Sequence, residues 1–568
     1  MEKRWNIKSG GNPQTVSELQ QGLNVDTIIA SLLFQRNIST FEEAKSFFRP
    51  DLNELHDPFL MKDMDKAIDR IDKAIANNEK ILIFGDYDVD GTTSVATVYS
   101  FFKKFYPNVG FYIPDRYKEG YGISFKGIDF AKENNFGLII ALDCGIKAND
   151  KIDYANEKGV DFIICDHHLP GDSLPKAIAV LDPKRSDCPY PYKELAGCGI
   201  GFKLIQAYSI KNNIDPEQSL EYLDLVATSI AADIVPITGE NRILAHFGIE
   251  KLNSNPRPGI KALIDSNKIT KALNITTLVF VIGPRINAAG RLEHGSRSVE
   301  LLICESEAEA NEIAKGINTT NTLRKDLDQG TTSEAHLMLE NDPMTPFKKS
   351  TVLFNETWHK GVIGIVASRL IEKYYKPTII LTEADGKATG SARSVKEFDV
   401  YSAIEQCSDL LEQFGGHKFA AGLTLKKENV AAFQNKFEKI VAASITEEQQ
   451  IPRVDIDIEI DLQDINDKTL RILKQFAPHG PENMTPLFVA KNVIDTGWGK
   501  VVGTNHLKLD IFQAKNPNAR FAAIAYDKGD FLSFFQRKIP IDIVFKIQEN
   551  DFRGAITTQL VIEEIRVS

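Results

Sequence analysis

Three aspartates stand at alternate positions in the segment GDYDVDG: Asp86, Asp88 and Asp90. The segment directly follows the apolar run Ile81 to Phe84, which is typical of a buried strand. Carboxylates held this close together repel one another strongly unless cations lie between them. The spacing therefore predicts a cation site at the end of a strand.

The same pattern also opens an EF-hand calcium loop. The twelfth position of such a loop carries a bidentate Glu and a helix precedes the loop. Here the twelfth position is Thr97, and a predicted strand precedes the loop. An EF-hand is excluded, while solvated turn acids remain the structural alternative for this motif alone.

Three other segments place acids or imidazoles after an apolar run. Asp143 follows LIIAL, Asp166, His167 and His168 follow FIIC, and Asp233 follows VATSIAA. We interpret all three runs as strands. The carboxyl ends of parallel strands meet at one edge of a sheet, where α/β folds bind their ligands. We therefore expect these side chains to form one site with the first motif.

An oxygen-rich site with one or two imidazoles suits Mn²⁺ or Mg²⁺ better than a structural zinc, which favours thiolates. The carboxylates suffice for two ions, and such a pair can activate a water and stabilise both oxygens of a phosphodiester displacement. The chain has no G-x-S-x-G, G-x-G-x-x-G or G-x-x-x-x-G-K-[ST] motif. The glycines of Gly197 to Gly201 are interpreted as a tight loop that enters a helix.

The hydrophobic patterning predicts an α/β protein of several domains. Short β-branched runs alternate with helical patterns from about residue 60 to 260, which indicates a doubly wound parallel sheet. A long helical connector, a smaller α/β domain and a C-terminal β-barrel of OB type follow. The predicted segments are 1–55 (a helical lead-in that packs against the catalytic domain), 56–305 (catalytic domain), 306–345 (connector), 346–446 (second α/β domain) and 447–568 (barrel).

The composition is that of a globular protein with several hydrophobic cores: 568 residues, 43% apolar and 26% charged. We find no membrane span or signal peptide and expect a cytoplasmic protein. The six cysteines form no C-x-x-C pair, so most are expected to be core residues. The net charge of −11 argues against a generally basic nucleic-acid binder but allows a local basic groove.

The motifs DYDVDG, LDCG, CDHH and AADIVP, in this order, resemble the four motifs of DHH-superfamily phosphoesterases. The segments IPDRYKEGYGIS, GPRINAAGRL, WHKGVIGIVASR, GSARS and FGGHKFAAG narrow the resemblance to the RecJ family. The last three of these resemble the companion domain called DHHA1. With the terminal barrel, the resemblance covers nearly the whole chain after residue 50.

The resemblance implies a set of metal ligands, with Asp143 as a bridge between two ions. His168 would face the scissile phosphate, and Asp166 would orient the adjacent metal-bound His167. The wider superfamily often has His at the position of Phe84, and this difference argues against a family-II inorganic pyrophosphatase. Asp86 is the substitute ligand or a supporting acid. The implied ligands are Asp86, Asp88, Asp90, Asp143, His167 and Asp233.

The resemblance also implies residues that bind the substrate. Arg116, Ser391 and Arg393 would hold a terminal 5′-phosphate, since guanidinium forks and hydroxyls suit phosphate oxygens. The other implied contacts to the strand are Arg285, Asn287, Arg291, His359 and His417, and the candidate stacking aromatics of the barrel are Trp498, Phe512, Phe521 and Tyr526. For single arginines and histidines, a structural ion pair or hydrogen bond remains the alternative.

The implied function is a Mn²⁺- or Mg²⁺-dependent 5′-to-3′ exonuclease that hydrolyses single-stranded DNA to 5′-mononucleotides in DNA repair and recombination. A helicase and a single-strand-binding protein would cooperate with it, and we expect a monomer. Two alternatives stay open: a DHH phosphodiesterase acting on short RNA or cyclic dinucleotides, and a non-catalytic DNA-binding scaffold. The complete set of acids and histidines argues against the scaffold.

Overall fold

The computed structural model describes residues 3–552 and 554–567. The chain forms two compact units. The first comprises His56–Asp233 and Phe247–Pro452, together with Lys3. The second comprises Arg4–Leu55, Ile234–His246 and the residues from Arg453 onward. Within the described residues, none of the helices combines the length and hydropathy that crossing a membrane requires.

Strands and helices are numbered in chain order. The strands are β1 (Arg4–Ile7), β2 (Lys80–Gly85), β3 (Val109–Tyr112), β4 (Phe136–Leu142), β5 (Asp161–Cys165), β6 (Ala179–Leu181), β7 (Thr351–Phe354), β8 (Thr378–Ala384), β9 (Lys387–Arg393), β10 (Leu411–His417), β11 (Ala420–Leu425), β12 (Arg453–Ile456), β13 (Ile458–Glu459), β14 (Phe488–Asp495), β15 (Lys500–Val502), β16 (His506–Gln513), β17 (Asn516–Ala525), β18 (Ile541–Phe552) and β19 (Ala555–Val567). The helices are α1 (Pro13–Leu23), α2 (Thr27–Phe34), α3 (Phe41–Phe48), α4 (Met64–Ala76), α5 (Val89–Lys103), α6 (Phe125–Glu133), α7 (Asn149–Lys158), α8 (Gly197–Lys211), α9 (Glu217–Leu220), α10 (Leu223–Ala232), α11 (Gly239–Ser254), α12 (Pro258–Ser266), α13 (Ile275–Thr277), α14 (Gly283–Leu292), α15 (Ser296–Ile303), α16 (Glu307–Asn341), α17 (Ile363–Tyr374), α18 (Val400–Glu405), α19 (Val430–Ser444), α20 (Asp467–Lys474) and α21 (Leu532–Gln536).

The first sheet is parallel throughout and has the strand order β3-β2-β4-β5-β6. The predicted doubly wound sheet is confirmed. The chain leaves β2 on one side to form β3 and then returns to form β4 on the other side of β2. This reversal opens a crevice beyond the carboxyl ends of β2 and β4, which is where such sheets bind ligands.

The connector and the second α/β domain also match the prediction. The helix α16 begins after the N-cap Ser306, whose hydroxyl accepts a hydrogen bond from Glu309 N at 3.4 Å. A sheet of order β10-β11-β9-β8-β7 follows, in which β7 and β8 are parallel and the other neighbours antiparallel. The buried Asp328 of α16 binds Arg369 of α17 at 2.7 Å and thus joins the connector to this domain.

The second unit contains the predicted terminal barrel. Strands β14, β18, β19, β17 and β16 pair in that order, and an additional pairing of β14 with β16 closes the ring. The N-terminal segment differs from the expectation that it packs against the catalytic domain. Strand β1 pairs in parallel with β12, and apolar residues of α1 and α2 share one hydrophobic core with the barrel.

One arginine fixes the inserted segment Ile234–His246 within the second unit. The Arg242 guanidinium is buried and lies 3.9 Å from the centre of the Phe47 ring. It donates hydrogen bonds of 2.9 to 3.3 Å to the main-chain oxygens of Phe47 and of residues 475 to 478. The carbonyls of residues 475 to 478 follow the end of α20, and Phe47 O is in the last turn of α3. Helices leave oxygens unpaired at such ends.

The substitution Arg242→Ala is expected to destabilise the second unit by at least about 3 kcal/mol, because it leaves several buried carbonyls without donors. Urea unfolding followed by tryptophan fluorescence measures this change. The matched control is Arg537→Ala at an exposed position of the same unit. Equal unfolding midpoints for the two variants would contradict the assigned role.

Candidate metal centre

Four aspartates stand side by side at the carboxyl edge of the first sheet. The strand register pairs Gly85 with Leu142, Leu142 with Cys165, and Cys165 with Leu181. The next residue of each strand is an aspartate, and all four are at most 1% exposed: Asp86, Asp143, Asp166 and Asp182. Neighbouring strands are about 4.8 Å apart, so the register alone brings these acids together.

The third aspartate of the first motif is held by the N-terminus of a helix. Asp90 accepts hydrogen bonds from the main-chain N–H groups of Gly197 at 2.7 Å and Cys198 at 2.8 Å. The Ser229 hydroxyl donates a further bond of 2.7 Å. The interpretation of Gly197 to Gly201 as a loop is wrong, since α8 begins at Gly197. The first turn of this helix is an anion site, and Asp90 occupies it.

Asp233 reaches the cluster from a helix and not from a strand. The segment VATSIAA belongs to α10, and Asp233 is the C-cap residue of that helix. The prediction of a strand end at this position is therefore wrong, although the side chain arrives at the expected site. Its carboxylate Oδ2 lies 3.6 Å from His167 Nε2.

His167 lies at the centre of the carboxylates and is 6% exposed. Its Nε2 lies 3.1 Å from Asp143 Oδ1 and 3.6 Å from Asp90 Oδ2. Within the described part of the chain, neither ring nitrogen has a hydrogen-bond partner. Possible ligand atoms form two groups, and within each group they all lie within 4.8 Å of one another. The groups are Asp143, His167 and His168, and Asp90, His167 and Asp233. An unpartnered buried imidazole among carboxylates fits divalent cations with oxygen and nitrogen ligands.

The pKa shifts of the aspartates also indicate a cation site. Burial first, and the neighbouring carboxylates second, raise the pKa of Asp86, Asp88 and Asp143. The same causes raise the pKa of Asp233 to about 8. Ionised carboxylates at these positions therefore require positive charge nearby, which one or two divalent ions would supply.

Asp166 and His168 form a pair beside the cluster. Asp166 accepts from the His168 ring Nδ1 at 2.7 Å and from three main-chain N–H groups, those of Ile146, His167 and His168. Burial would raise the pKa of Asp166, but these bonds outweigh it and hold the pKa at about 2. The pKa of His168 is raised to about 9, because the bond to Asp166 outweighs burial. Asp166 thus orients the ring of His168 and not, as expected, the ring of His167.

The remaining acids of the first motif are also oriented by main-chain donors. Asp88 is the N-cap of α5 and accepts from Gly91 N at 3.0 Å. Asp86 accepts from Gly122 N at 3.1 Å with one oxygen, and its other oxygen has no partner among the described residues. Phe84 stacks on Tyr112 at 5.4 Å within the core. The position where the wider superfamily often has His is therefore part of the hydrophobic core here.

A second set of charges, all positive, lies in the same unit. Arg116, Arg291 and Arg393 form no ion pair with a carboxylate within residues 3–552 and 554–567. Burial first, and then the charges of Arg116, Arg324 and Arg393, lower the pKa of Arg291 to about 10. Arg116 acts electrostatically on both Asp86 and Arg393. Unpaired guanidinium groups that repel one another form a site for an anion.

The serine and glycines of the second α/β domain complete this positive site. Arg393 Nη1 donates to Ser391 Oγ at 3.0 Å. A Cβ atom on Gly364, in the first turn of α17, would lie 2.9 Å from Ser391 Oγ and 3.0 Å from Arg393 Nη2. Arg291 donates to Gly361 O at 3.1 Å, which links α14 of the first domain to the second. The start of α17, Ser391 and Arg393 thus surround one small space.

The other predicted substrate contacts are His359, Asn287, His417 and Arg285. His359 Nδ1 accepts from Gly361 N at 3.0 Å, and Asn287 is half-buried on α14 between Arg285 and Arg291. His417 is exposed, and strand register places it in line with Ala420 and Arg393. Arg285 instead donates to Asn318, Asn267 and Val281 O, so its guanidinium is occupied by the helices around it.

Several residues of the site were not identified from the sequence. Asp182 follows the run AIAVL and satisfies the same strand-end rule as the assigned acids. Tyr121 donates to Asp143 O at 3.3 Å and lies 3.4 Å from His168 Nε2. Ser229 stands one turn before Asp233 on α10, a spacing that becomes informative only when that segment is recognised as a helix.

The fold and the site define a phosphoesterase of the DHH class. Residues 80–230 match the model of the DHH family, N-terminal domain, residues 348–443 match the DHHA1 domain, and residues 456–564 match the RecJ OB domain.

The single-stranded-DNA-specific exonuclease RecJ of Bacillus subtilis (strain 168) is 37% identical over 571 residues, which are 100% of this chain and 71% of that protein. The exonuclease of the same name from Escherichia coli (strain K12) is 32% identical over 88% of this chain and 90% of its own length. The crystal structure of RecJ in complex with Mn²⁺ from Thermus thermophilus has a TM-score of 0.85 and 25% identity, over 99% of this chain and 79% of that chain. The chain belongs to the RecJ family.

The substitution Gly197→Ala is expected to weaken Mn²⁺ binding by at least about tenfold. A Cβ atom at this position would lie 2.8 Å from Asp143 Cβ and 3.0 Å from Asp90 Oδ2, so both acids must shift. Titration calorimetry with Mn²⁺ measures the affinity.

The matched control is Gly199→Ala in the same helical turn, where the nearest atom to a Cβ is Leu195 Cδ2 at 3.4 Å. This variant should bind Mn²⁺ normally and gain up to about 1 kcal/mol of stability, because alanine favours the helix. Equal Mn²⁺ affinities for the two variants would show that the close approach of α8 does not shape the site.

Proposed function

We propose that this protein is a metal-dependent exonuclease that hydrolyses single-stranded DNA from the 5′ end to 5′-mononucleotides, in DNA repair and recombination. One observation carries the proposal: a buried carboxylate and imidazole cluster and a group of unpaired arginines occur in the same unit, with Arg116 acting electrostatically on both. The names of the relatives support the substrate. We also propose that the chain is divided into five segments, with boundaries after residues 55, 305, 345 and 446.

The proposed ligands of Mn²⁺ or Mg²⁺ are Asp86, Asp88, Asp90, Asp143, His167 and Asp233. When bound, the ions, of which we expect two, would lower the pKa of a water and neutralise the phosphodiester. The chain itself keeps the acids in place through main-chain donors, chiefly those of Gly91, Gly197 and Cys198. The remaining members of the proposed catalytic group, Asp166 and His168, act beside the ligands.

His168 carries a proton at neutral pH in this proposal, because Asp166 binds its Nδ1. Its side chain is 45% exposed, so the ring is accessible to a substrate phosphate. A protonated imidazole there would donate to an oxygen of the scissile phosphate and stabilise the charge that develops in the transition state.

The terminal 5′-phosphate is assigned to Arg116, Ser391 and Arg393, of which Ser391 and Arg393 approach the N-terminus of α17. Helix N-termini and guanidinium groups both favour phosphate. A phosphate held at this point would fix one end of the strand, and cleavage would then release one nucleotide at a time from that end. The additional contacts to the strand are assigned to Asn287, Arg291, His359 and His417; the hydrogen bonds of Arg285 favour its structural alternative.

The terminal barrel is proposed to hold the strand further from the cut. Trp498 is 77% exposed and Tyr526 is 55% exposed, so their rings are open to stacking by bases. Phe521 packs against the barrel core, and Arg520 lies 5.9 Å over the ring of Phe512. We also propose that the protein acts as a monomer with a helicase and a single-strand-binding protein.

The central test uses 5′-phosphorylated single-stranded DNA with a 3′ label and Mn²⁺. The wild-type protein is expected to release mononucleotides, and Asp143→Ala is expected to lose at least about a thousandfold in rate, because a central proposed metal ligand is lost. Asp172→Ala, at an exposed position between β5 and β6, serves as the control. Intact DNA with the wild-type protein, or full activity of Asp143→Ala, would refute the proposal.

Labelled RNA and cyclic dinucleotides in parallel reactions address the alternative substrates. The proposal expects single-stranded DNA to be hydrolysed fastest. Faster hydrolysis of RNA or of a cyclic dinucleotide would contradict single-stranded DNA as the proposed substrate.

The substitution Arg393→Ala tests the polarity. For 5′-phosphorylated DNA the KM is expected to rise at least about tenfold, since a charge-assisted hydrogen bond to phosphate is lost. For 5′-hydroxyl DNA the KM should not change, so the preference for a 5′-phosphate disappears. Arg297→Ala, which removes an exposed arginine paired with Glu300, is the control. A preference that survives in Arg393→Ala would place the terminal phosphate elsewhere.

A further inference from the structure

A cavity of about 650 Å³ lies in the first unit, outside the proposed metal centre. Its volume is within the range of about 300 to 1,000 Å³ that is typical of small-ligand sites. The walls combine apolar surfaces with charges of both signs: Tyr99, Pro256, Pro258 and Leu302 are apolar or aromatic, Lys103, Lys104 and Lys251 are basic, and Glu221 and Glu305 are acidic. Such a mixture suits a ligand with a planar body and an anionic group.

A buried ion pair lines part of the cavity. Asp224 is 0% exposed and binds Arg257 with both oxygens at 2.7 Å. Arg257 also donates to Leu302 O at 3.0 Å. Since these two charges neutralise each other, they leave recognition of a ligand to other groups.

Two polar groups of the cavity lack partners in the described part of the chain. Tyr222 is 3% exposed, and its hydroxyl has no hydrogen-bond partner. A buried hydroxyl without a partner is costly, which indicates that a ligand atom pairs with it. Lys251 forms no ion pair, whereas the neighbouring Lys104 binds Glu221 at 2.5 Å. The lysine is therefore available for an anion.

The cavity is separate from the metal centre, although the same two helices reach both. Tyr222 is the N-cap of α10, whose other end is capped by Asp233. Lys104 is the C-cap of α5, whose N-cap is Asp88. At 1.5 Å per residue, the ten residues of α10 separate the two sites by about 15 Å. A ligand of the cavity thus contacts none of the proposed metal ligands.

We propose that this cavity binds a nucleoside monophosphate. The heteroaromatic base would stack against the Tyr99 ring and the proline faces, a base atom would pair with the Tyr222 hydroxyl, and the phosphate would bind Lys251. The choice of a monophosphate rests on the proposed function, which releases such nucleotides; the cavity itself determines only a planar ring and an anion.

Cys304 provides a local probe. It lines the cavity and is half-exposed, whereas the other five cysteines of the chain are buried. The rate at which a maleimide modifies Cys304 is measured with deoxyadenosine monophosphate, deoxyadenosine, inorganic phosphate or a short acidic peptide. The proposal expects saturable protection by the monophosphate and clearly weaker protection by each of the others.

Two substitutions test whether protection of Cys304 depends on Tyr222 and Lys251. Tyr222→Phe should weaken the apparent affinity for the monophosphate about three- to tenfold, since one hydrogen bond is lost, without lowering the unfolding midpoint. Lys251→Gln should weaken it about tenfold through the lost charge. Lys325→Gln, at an exposed position of α16, should have no effect.

The proposal is overturned if the monophosphate gives no protection, if phosphate or the peptide protects equally well, or if Tyr222→Phe and Lys251→Gln bind like the wild-type protein. The same preparations are assayed on 5′-phosphorylated single-stranded DNA with Mn²⁺. Cleavage without protection of Cys304 refutes the cavity site alone. Protection without cleavage refutes the proposed nuclease and leaves the cavity site standing.

Discussion

The repulsion among buried carboxylates is the constraint on which the rest of the site depends. The strand register places Asp86, Asp143, Asp166 and Asp182 in one row at the edge of the sheet, each at most 1% exposed. Such a row is stable only when positive charge faces it. The protein supplies part of that charge itself, through the His168 ring at Asp166, and it balances Asp90, next to the row, with the N-terminus of α8. Asp90, Asp143 and Asp233 converge on His167, where divalent cations would supply the remaining charge.

Repulsion among arginines is the counterpart of the repulsion among the carboxylates. Arg116, Arg291 and Arg393 have no carboxylate partners in the described residues. Burial first, and the charge of Arg116 second, lower the pKa of Arg291 and of Arg393. Both clusters lie in one unit, and α14 joins the two domains through the bond of Arg291 to Gly361 O. A polyanion that binds together with metal ions would relieve both sets of repulsion. The ions would face the acids, and the phosphates would face the arginines. A nucleic-acid strand is a ligand of this kind.

The sequence predicts the parallel sheet and most of its site because apolar runs followed by acids have one simple structural meaning. It fails where local patterns are ambiguous. The segment before Asp233 is short and apolar enough to suit a strand or a buried helix, and only the tertiary structure decides between them. Gly197 starts a helix because its N–H binds Asp90, a contact between residues 107 positions apart. The shared core of the N-terminal segment and the barrel is equally nonlocal. Asp182, in contrast, was predictable by the rule already applied to Asp143.

The most direct test of the account is a crystal structure of the protein soaked with Mn²⁺, analysed by anomalous difference density. The account predicts anomalous peaks in contact with His167 and Asp143, at the point where the buried carboxylates converge. Mn²⁺ bound only elsewhere on the protein, with the carboxylate cluster empty at saturating concentration, would contradict it.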